Sequence, residues 1–292
     1  METTEIKQQV REFYDQVGWQ MVSDGVYQNA RYEDLRPVAR EYIHDCHLRV
    51  GRFLKPAGRY LLDAGSGPVQ YPEYLTYSQG FAYRVCADIS IVALQEARKR
   101  IGSRGLYVVA DVANLPFKNE AFESIVSLHT LHHLPPQDHA RAYAELYRSL
   151  APGCPAVIVN GWTVSRLMSR LNWLVRGMER LQGILTRLSG KNASSKAETA
   201  PAGPAKQKPT GTFIQKYDAG WLAETLGGKK IPYEIRCWRS VSVRFLRAVI
   251  RPALGGRFWL RLLFSLEERF PRWMGQNGQY PLIVVRKPLK SN

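Results

Sequence analysis

Three short apolar runs in the first half of the chain each close on an acid: Tyr60-Leu-Leu-Asp63, Tyr83-Arg-Val-Cys-Ala-Asp88 and Leu106-Tyr-Val-Val-Ala-Asp111. The acids stand 25 and 23 residues apart, enough for one strand and one helix per step. Unbroken apolar runs of this length predict strands buried in a parallel sheet. Gly65-Ser66-Gly67 follows the first run. It predicts a sharp turn from strand into helix, because glycine accepts positive φ and lets a ligand approach the backbone. Three strands then carry a carboxylate at their C-terminal ends, the edge at which open α/β sheets bind ligands.

The second half is patterned differently. Over 163–189, apolar residues such as Val164, Leu167, Leu171, Leu174 and Met178 recur at helical spacing. Arg166, Arg170, Arg176, Arg180 and Arg187 lie between them. This predicts a basic amphipathic helix, either a membrane-surface or partner-binding element or a lid with solvated arginines. Residues 189–211 are rich in Ser, Ala, Lys, Pro and Gly and predict a linker or surface loop. Asp218 predicts the N-cap of a helix running to Leu226, and 231–245 a strand. Residues 245–270 predict a second basic amphipathic region broken at Pro252 and Gly255-Gly256, and 280–286 the last strand.

The glycine loop narrows the ligand. A dinucleotide loop reads G-x-G-x-x-G, with the last glycine allowing close helix packing. Here that position is Gln70, and Pro68 lacks the N–H a pyrophosphate would use. The loop argues against a nicotinamide or flavin and for a nucleoside ligand without phosphates.

These motifs, with others in fixed order, resemble the Rossmann-like (class I) S-adenosylmethionine (SAM)-dependent methyltransferases, in the group that includes quinone and many small-molecule methyltransferases. Leu62-Asp-Ala-Gly-Ser-Gly67 resembles the first motif and Asp88-Ile-Ser90 the ribose-binding acid. Asp111-Val112 with Leu115-Pro116-Phe117 resembles the adenine-side loop. Phe122-Glu-Ser-Ile-Val-Ser127 with Leu131-His-His-Leu134 resembles the fourth strand and its exit, and Leu150-Ala-Pro-Gly153 the turn before the fifth. The resemblance implies a doubly wound, mostly parallel seven-stranded α/β sheet with helices on both faces. The last two strands form a hairpin-like pair at the edge. Four segments follow: an N-terminal helical arm (1–58), the SAM-binding core (59–160), a basic insertion and linker (161–212), and C-terminal strands with helical elaboration (213–292).

The resemblance also assigns roles. Gly65 and Gly67 pass under the methionine part of SAM, and Asp63 holds the loop or meets the ammonium group. Asp88, with Ile89 beside it, accepts both ribose hydroxyls, since a carboxylate offers two acceptor oxygens. Asp111 takes the adenine amine, with Val112 nearby, and Ser127 joins the cofactor wall. The arm bearing Phe13, Tyr14, Trp19 and Tyr27 closes over SAM, its ring faces attracting a sulfonium. Many relatives carry a third glycine where this chain has Val69.

Methyl transfer from a sulfonium is an in-line displacement that asks mainly for position and desolvation. An acidic acceptor also calls for a base titrating near neutrality, and histidine suits. His129 and His133, just past the fourth strand, are the candidates, with His129 and Ser127 as plain wall residues the alternative. His44 and His47 share a helix face, but no third ligand is in view, so no metal site is expected.

Composition supports this frame. At 292 residues with 45% hydrophobic content, the chain can bury a large core. None of the four cysteines forms a C-x-x-C pair, which speaks against zinc and for a reducing, cytoplasmic setting. The N-terminus lacks a secretory pattern, and no apolar stretch reaches membrane-spanning length. Charge is uneven: 1–160 carry a net −1 and 161–292 a net +17, with six of the seven tryptophans in the latter.

Three functions remain open. The first is SAM-dependent O- or C-methylation of a small, apolar or lipid-linked acceptor. The basic, tryptophan-rich regions 163–189 and 245–272 would then dock on the anionic inner face of a membrane. The second is an RNA methyltransferase of the tRNA-modifying kind, whose basic half grips phosphates. Interleaved leucines, in place of an aromatic–basic platform, make nucleic acid the weaker partner. The third is a non-catalytic scaffold of the same fold.

Overall fold

The computed structural model describes residues 3–23, 26–188 and 212–290. Seven strands form one sheet: β3 (Gly58–Ala64), β4 (Phe81–Asp88), β5 (Gly105–Val109), β6 (Ser124–Leu128), β7 (Pro155–Val159), β8 (Tyr233–Arg239) and β9 (Tyr280–Arg286). Their order is β5-β4-β3-β6-β7-β9-β8. The pairings from β5 through β7 are parallel, while β9 runs antiparallel to both β7 and β8. The chain order reverses beside β3, which sets the ligand crevice at the C-terminal ends of β3, β4 and β6. A short hairpin, β1 (Met21–Ser23) with β2 (Val26–Tyr27), lies in the arm and left no pattern in the sequence.

Strand alternation divides the core in two. Leu61, Cys86, Val126 and Val157 pack on one face, and Leu62, Val85, Ile125 and Ile158 on the other. The first face is covered by α2 (Arg40–Gly51), α3 (Pro72–Thr76), α4 (Ile91–Ile101), α8 (Val243–Val249) and α9 (Gly256–Arg269). The second is covered by α5 (His139–Ser149) and α7 (Ala219–Gly228). Asp218 caps α7 as predicted, its Oδ1 accepting from Trp221 N at 2.8 Å.

The arm starts with α1 (Thr3–Phe13), which runs on into a single π-helical turn, Tyr14–Gly18. The predicted basic helix is α6 (Arg166–Leu188). The predicted break in the second basic region is a 3₁₀ turn, Pro252–Leu254, between α8 and α9, and α10 (Pro271–Asn277) leads into β9. The linker predicted over 189–211 lies outside the described residues.

Glu267, fully buried on α9, fastens the C-terminal helices to the sheet. Arg49 of α2 pairs with it at 3.1 Å, Tyr42 donates to it at 2.7 Å, and Ser240 N, just past β8, donates to it at 2.7 Å. A buried carboxylate needs such partners. They hold the end of β8, and so Trp238 and Arg239, in a fixed place.

Candidate active site

A cavity of about 420 Å³ opens at the C-terminal edge of the sheet, between the arm and the ends of β3, β4, β6, β8 and β9. Its floor is the glycine loop. Gly65 and Gly67 have φ of +73° and +53°, as the sequence required. A Cβ on Gly65 would collide with Thr130, which itself donates to the Gly65 carbonyl at 3.0 Å. A Cβ on Gly67 would lie 3.0 Å from the Trp19 ring. Val69, in place of a third glycine, keeps a glycine-like φ of +54°. That costs about 1–2 kcal/mol, and its fully buried side chain returns a comparable amount.

Asp88 sits at this floor and lines the cavity. Its Oδ2 accepts from Gly67 N at 2.8 Å and its Oδ1 from Ser90 N at 2.9 Å, so each oxygen keeps acceptor capacity. Burial pushes its pKa up to about 6, against the pull of those two N–H groups. Ile89, Asp111 and Val112 also line the cavity. Asp111 is paired with Lys7 of the arm at 2.5 Å and accepts from Ala113 N at 2.9 Å.

Two of the residues assigned to the cofactor lie elsewhere. Asp63 does not line the cavity; its carboxylate pairs with Arg84, whose Nε donates at 3.1 Å. Arg84 is a fully buried cation in β4, and a charge there needs an adjacent counter-charge. Asp63 therefore neutralises the strand beneath the loop and is not free for an ammonium group. Ser127 is likewise buried within the sheet, donating its hydroxyl to the Ala64 carbonyl at 2.8 Å. It braces the loop from below and forms no part of the wall.

The two histidines differ. His133 Nδ1 is 2.8 Å from the Phe213 carbonyl, which can only accept, so Nδ1 carries the proton. Nε2 then accepts from the Tyr14 hydroxyl at 2.8 Å. Burial lowers the His133 pKa to about 4. With both nitrogens engaged, His133 joins the arm to the core and has no lone pair for a substrate, which corrects its assignment as a base. His129 is different: it has a φ of +56°, and its ring packs edge-on against Trp238 and Tyr280, with centroids 4.8 and 5.7 Å away. Burial, with the charge of Arg239 next in weight, holds its pKa down at about 3. Such an imidazole stays neutral and accepts a hydrogen bond, but holds a proton weakly.

The arm forms the roof. Tyr14 stacks on Trp19 at 4.9 Å, and Asp15 accepts from Ser90 Oγ at 2.5 Å. Around His129 the cavity wall is aromatic, a chamber formed by Tyr71, Tyr74, Trp238 and Tyr280. Sequence analysis missed three of its charged groups. Glu33 and Arg239 form a buried pair at 2.5 Å, and Lys216 stands on the wall. Their separations, 206 positions between Glu33 and Arg239, leave no local signal. His44 and His47 do share a face of α2, and both turn to Glu73 of α3, at 2.5 and 3.5 Å. The approach of His47, and then of His44, lowers the Glu73 pKa to about 2, although burial opposes the shift. No cluster of three metal-ligating side chains occurs among the described residues.

Parts of the chain are similar to known proteins. Residues 62–158 match the family described as a methyltransferase domain. A probable tRNA methyltransferase 9B of Bos taurus is 32% identical over 127 residues, 42% of this chain and 26% of that protein. The phthiotriol/phenolphthiotriol dimycocerosates methyltransferase of Mycobacterium leprae is 29% identical over 178 residues, 53% of this chain and 65% of that one. The chain thus spans less than two thirds of the length of either relative. The crystal structure of the [4+2]-cyclase SpnF shares the fold, with a TM-score of 0.52 at 19% identity over 97% of each chain. The cofactor of the matched domain is SAM, and the floor suits it: a bare glycine backbone, Asp88 with free acceptor capacity, and loop N–H groups that are already used, those of Gly65 and Ser66 by the Ala87 carbonyl and that of Gly67 by Asp88, while Pro68 has none. Residues 62–158 thus carry a methyltransferase domain, set in the fold that the sequence motifs resemble.

Proposed function

We propose that the protein transfers a methyl group from SAM to an oxygen or carbon of a small, apolar or lipid-linked acceptor. One observation carries this: a single cavity runs from the glycine loop to an aromatic chamber under a closed arm. In this assignment Gly65 and Gly67 underlie the methionine portion, Asp88 accepts the ribose hydroxyls, and Asp111 with Val112 meets the adenine. SAM supplies an electrophilic methyl group on a sulfonium. Tyr14, Trp19 and His133 keep the arm closed and exclude water, which strengthens every polar contact inside. Trp238 and Tyr280 hold the acceptor by its apolar faces. His129 offers a neutral lone pair that orients an acceptor hydroxyl.

The basic C-terminal part supports docking on an anionic membrane surface. Trp173 on α6 is 72% exposed, and Phe258 and Trp259 on α9 are 63% and 53% exposed, beside exposed Arg257 and Arg261. Tryptophan and arginine together favour an anionic interface. No helix among the described residues is long and apolar enough to cross a membrane. The relative named for phthiotriol dimycocerosates favours a lipid-like acceptor, and the one named for tRNA favours RNA.

A transfer assay decides between them. The protein is incubated with methyl-labelled SAM and cell extract, then separated into organic, aqueous, RNA and protein fractions. Label in the organic fraction supports the proposal. Label confined to RNA replaces it with the nucleic-acid alternative.

A further inference from the structure

Lys216 is the one cation of the acceptor chamber with no counter-charge among the described residues. Arg239 is neutralised by Glu33 at 2.5 Å, and Lys7, at the other end of the cavity, by Asp111 and Asp138. Lys216 makes no ion pair or hydrogen bond through its ammonium among the described residues. Its pKa is lowered, and burial is the sole cause. Lys216 is half-buried, and a partly desolvated ammonium gains from a counter-charge.

The segment that carries Lys216 is well anchored. Gln215 N donates to the His132 carbonyl at 2.7 Å, Thr163 N donates to the Tyr217 carbonyl at 3.2 Å, and the Phe213 carbonyl receives His133 Nδ1. The lysine is therefore held in the wall and does not hang from a loose loop.

Its position separates it from the cofactor floor. The glycine loop, Asp88 and Asp111 follow β3, β4 and β5. The ammonium instead lies beside Gly161, just past β7, which the ring of Tyr280, opening β9, also approaches. In the sheet order these strands lie on the far side of β6 from β3, β4 and β5. Two further donors of the chamber residues, Trp238 Nε1 and Arg239 Nε, are buried without a hydrogen-bond partner among the described residues. With Lys216 these make three donors without a partner among the described residues, and an anionic oxygen is the group that would satisfy the charged one.

We propose that Lys216 Nζ receives an anionic oxygen of the methyl acceptor, a carboxylate or an ionised acidic hydroxyl, so that acceptors are apolar acids and not neutral lipids or amines. This inference deepens the methyltransferase proposal and rests on it. The shared chemistry has a second source, the carboxylate of the cofactor's methionine portion, and the test separates the two.

Binding of S-adenosylhomocysteine (SAH) is measured first by calorimetry. The SAH-loaded protein is then titrated with 2-naphthoate and with its uncharged methyl ester, flat aromatic probes suited to the chamber walls. The acid is expected to bind about tenfold tighter than the ester or better. Lys216→Met is expected to abolish that preference with SAH affinity unchanged, and Lys216→Arg to retain it. Equal binding of acid and ester, no binding of either, or a preference that survives Lys216→Met overturns the inference. So does loss of SAH affinity in Lys216→Met, which would assign the lysine to the cofactor. Failure of the unmodified protein to bind SAH overturns the methyltransferase proposal itself, and this inference with it.

Discussion

Tyr14 donates a 2.8 Å hydrogen bond to His133 Nε2, and the bond has only one possible direction because Nδ1 on the other side of the ring donates to the Phe213 carbonyl. The pair joins the arm, the exit of β6 and the 212–217 segment at one point. Tyr14→Phe leaves the buried Nε2 without a partner, at a cost of roughly 1–3 kcal/mol. Denaturant unfolding of the two proteins measures it. Equal midpoints would show that the contact does not hold the arm.

Asp88 gives a pH signature. Its carboxyl titrates at about 6 in the folded protein, above the ordinary range, because it is buried. Ribose hydroxyls need the ionised form, and a proton on the free protein competes with the ligand. SAH affinity is therefore expected to be level above about pH 7 and to fall roughly tenfold per unit below about pH 6. Asp88→Asn should weaken binding at high pH and flatten the profile. Calorimetry across this range checks both, and a flat profile in the unmodified protein removes Asp88 from the ribose. The stability linkage has the opposite sign. A carboxyl with a folded pKa above its unfolded value favours the folded state as pH falls from about 6 toward about 4.

His129 separates orientation from proton transfer. With a pKa near 3 it is neutral throughout the working range. His129→Asn tolerates the positive φ and keeps a hydrogen-bonding group. A loss in kcat below about 100-fold with unchanged SAH affinity is expected for an orienting group. A larger loss, with an acid limb in the pH–rate profile of the unmodified protein that the variant lacks, would make His129 the base.

The exposed aromatic residues of α6 and α9 yield a binding prediction. The protein should associate with vesicles containing anionic lipid and dissociate as salt rises, since screening shortens the reach of surface charge. Trp173→Ala and Trp259→Ala, at 72% and 53% exposure, should each weaken association severalfold by flotation. Binding equal to that for neutral vesicles would refute the membrane surface.

Local chemistry was legible because it is written in consecutive residues. Two positive-φ glycines after an apolar run, and an acid at the end of each strand, could be seen without coordinates. Asp218 as a cap and Tyr280–Arg286 as a strand were equally visible. The seven-stranded sheet with its last two strands paired at the edge came from the resemblance, and the strand order from the structure alone, because placing β9 between β7 and β8 joins segments far apart in the chain. An acid's role was less legible than its position. Asp63 and Asp88 have the same local signature, yet one neutralises Arg84 within the sheet and the other faces the cavity.

The sequence by itself determined the strand–glycine–helix unit, the cofactor class it resembles, and the split between a neutral front half and a basic back half. These depend on neighbouring residues and on composition, which folding does not alter. Only the tertiary structure decided which polar groups are free. It used both nitrogens of His133, paired Glu33 with Arg239, and left Lys216 unpaired in the chamber among the described residues. Burial raises the cost of a charge, and only the folded chain fixes which groups lose water and which partners stand within reach.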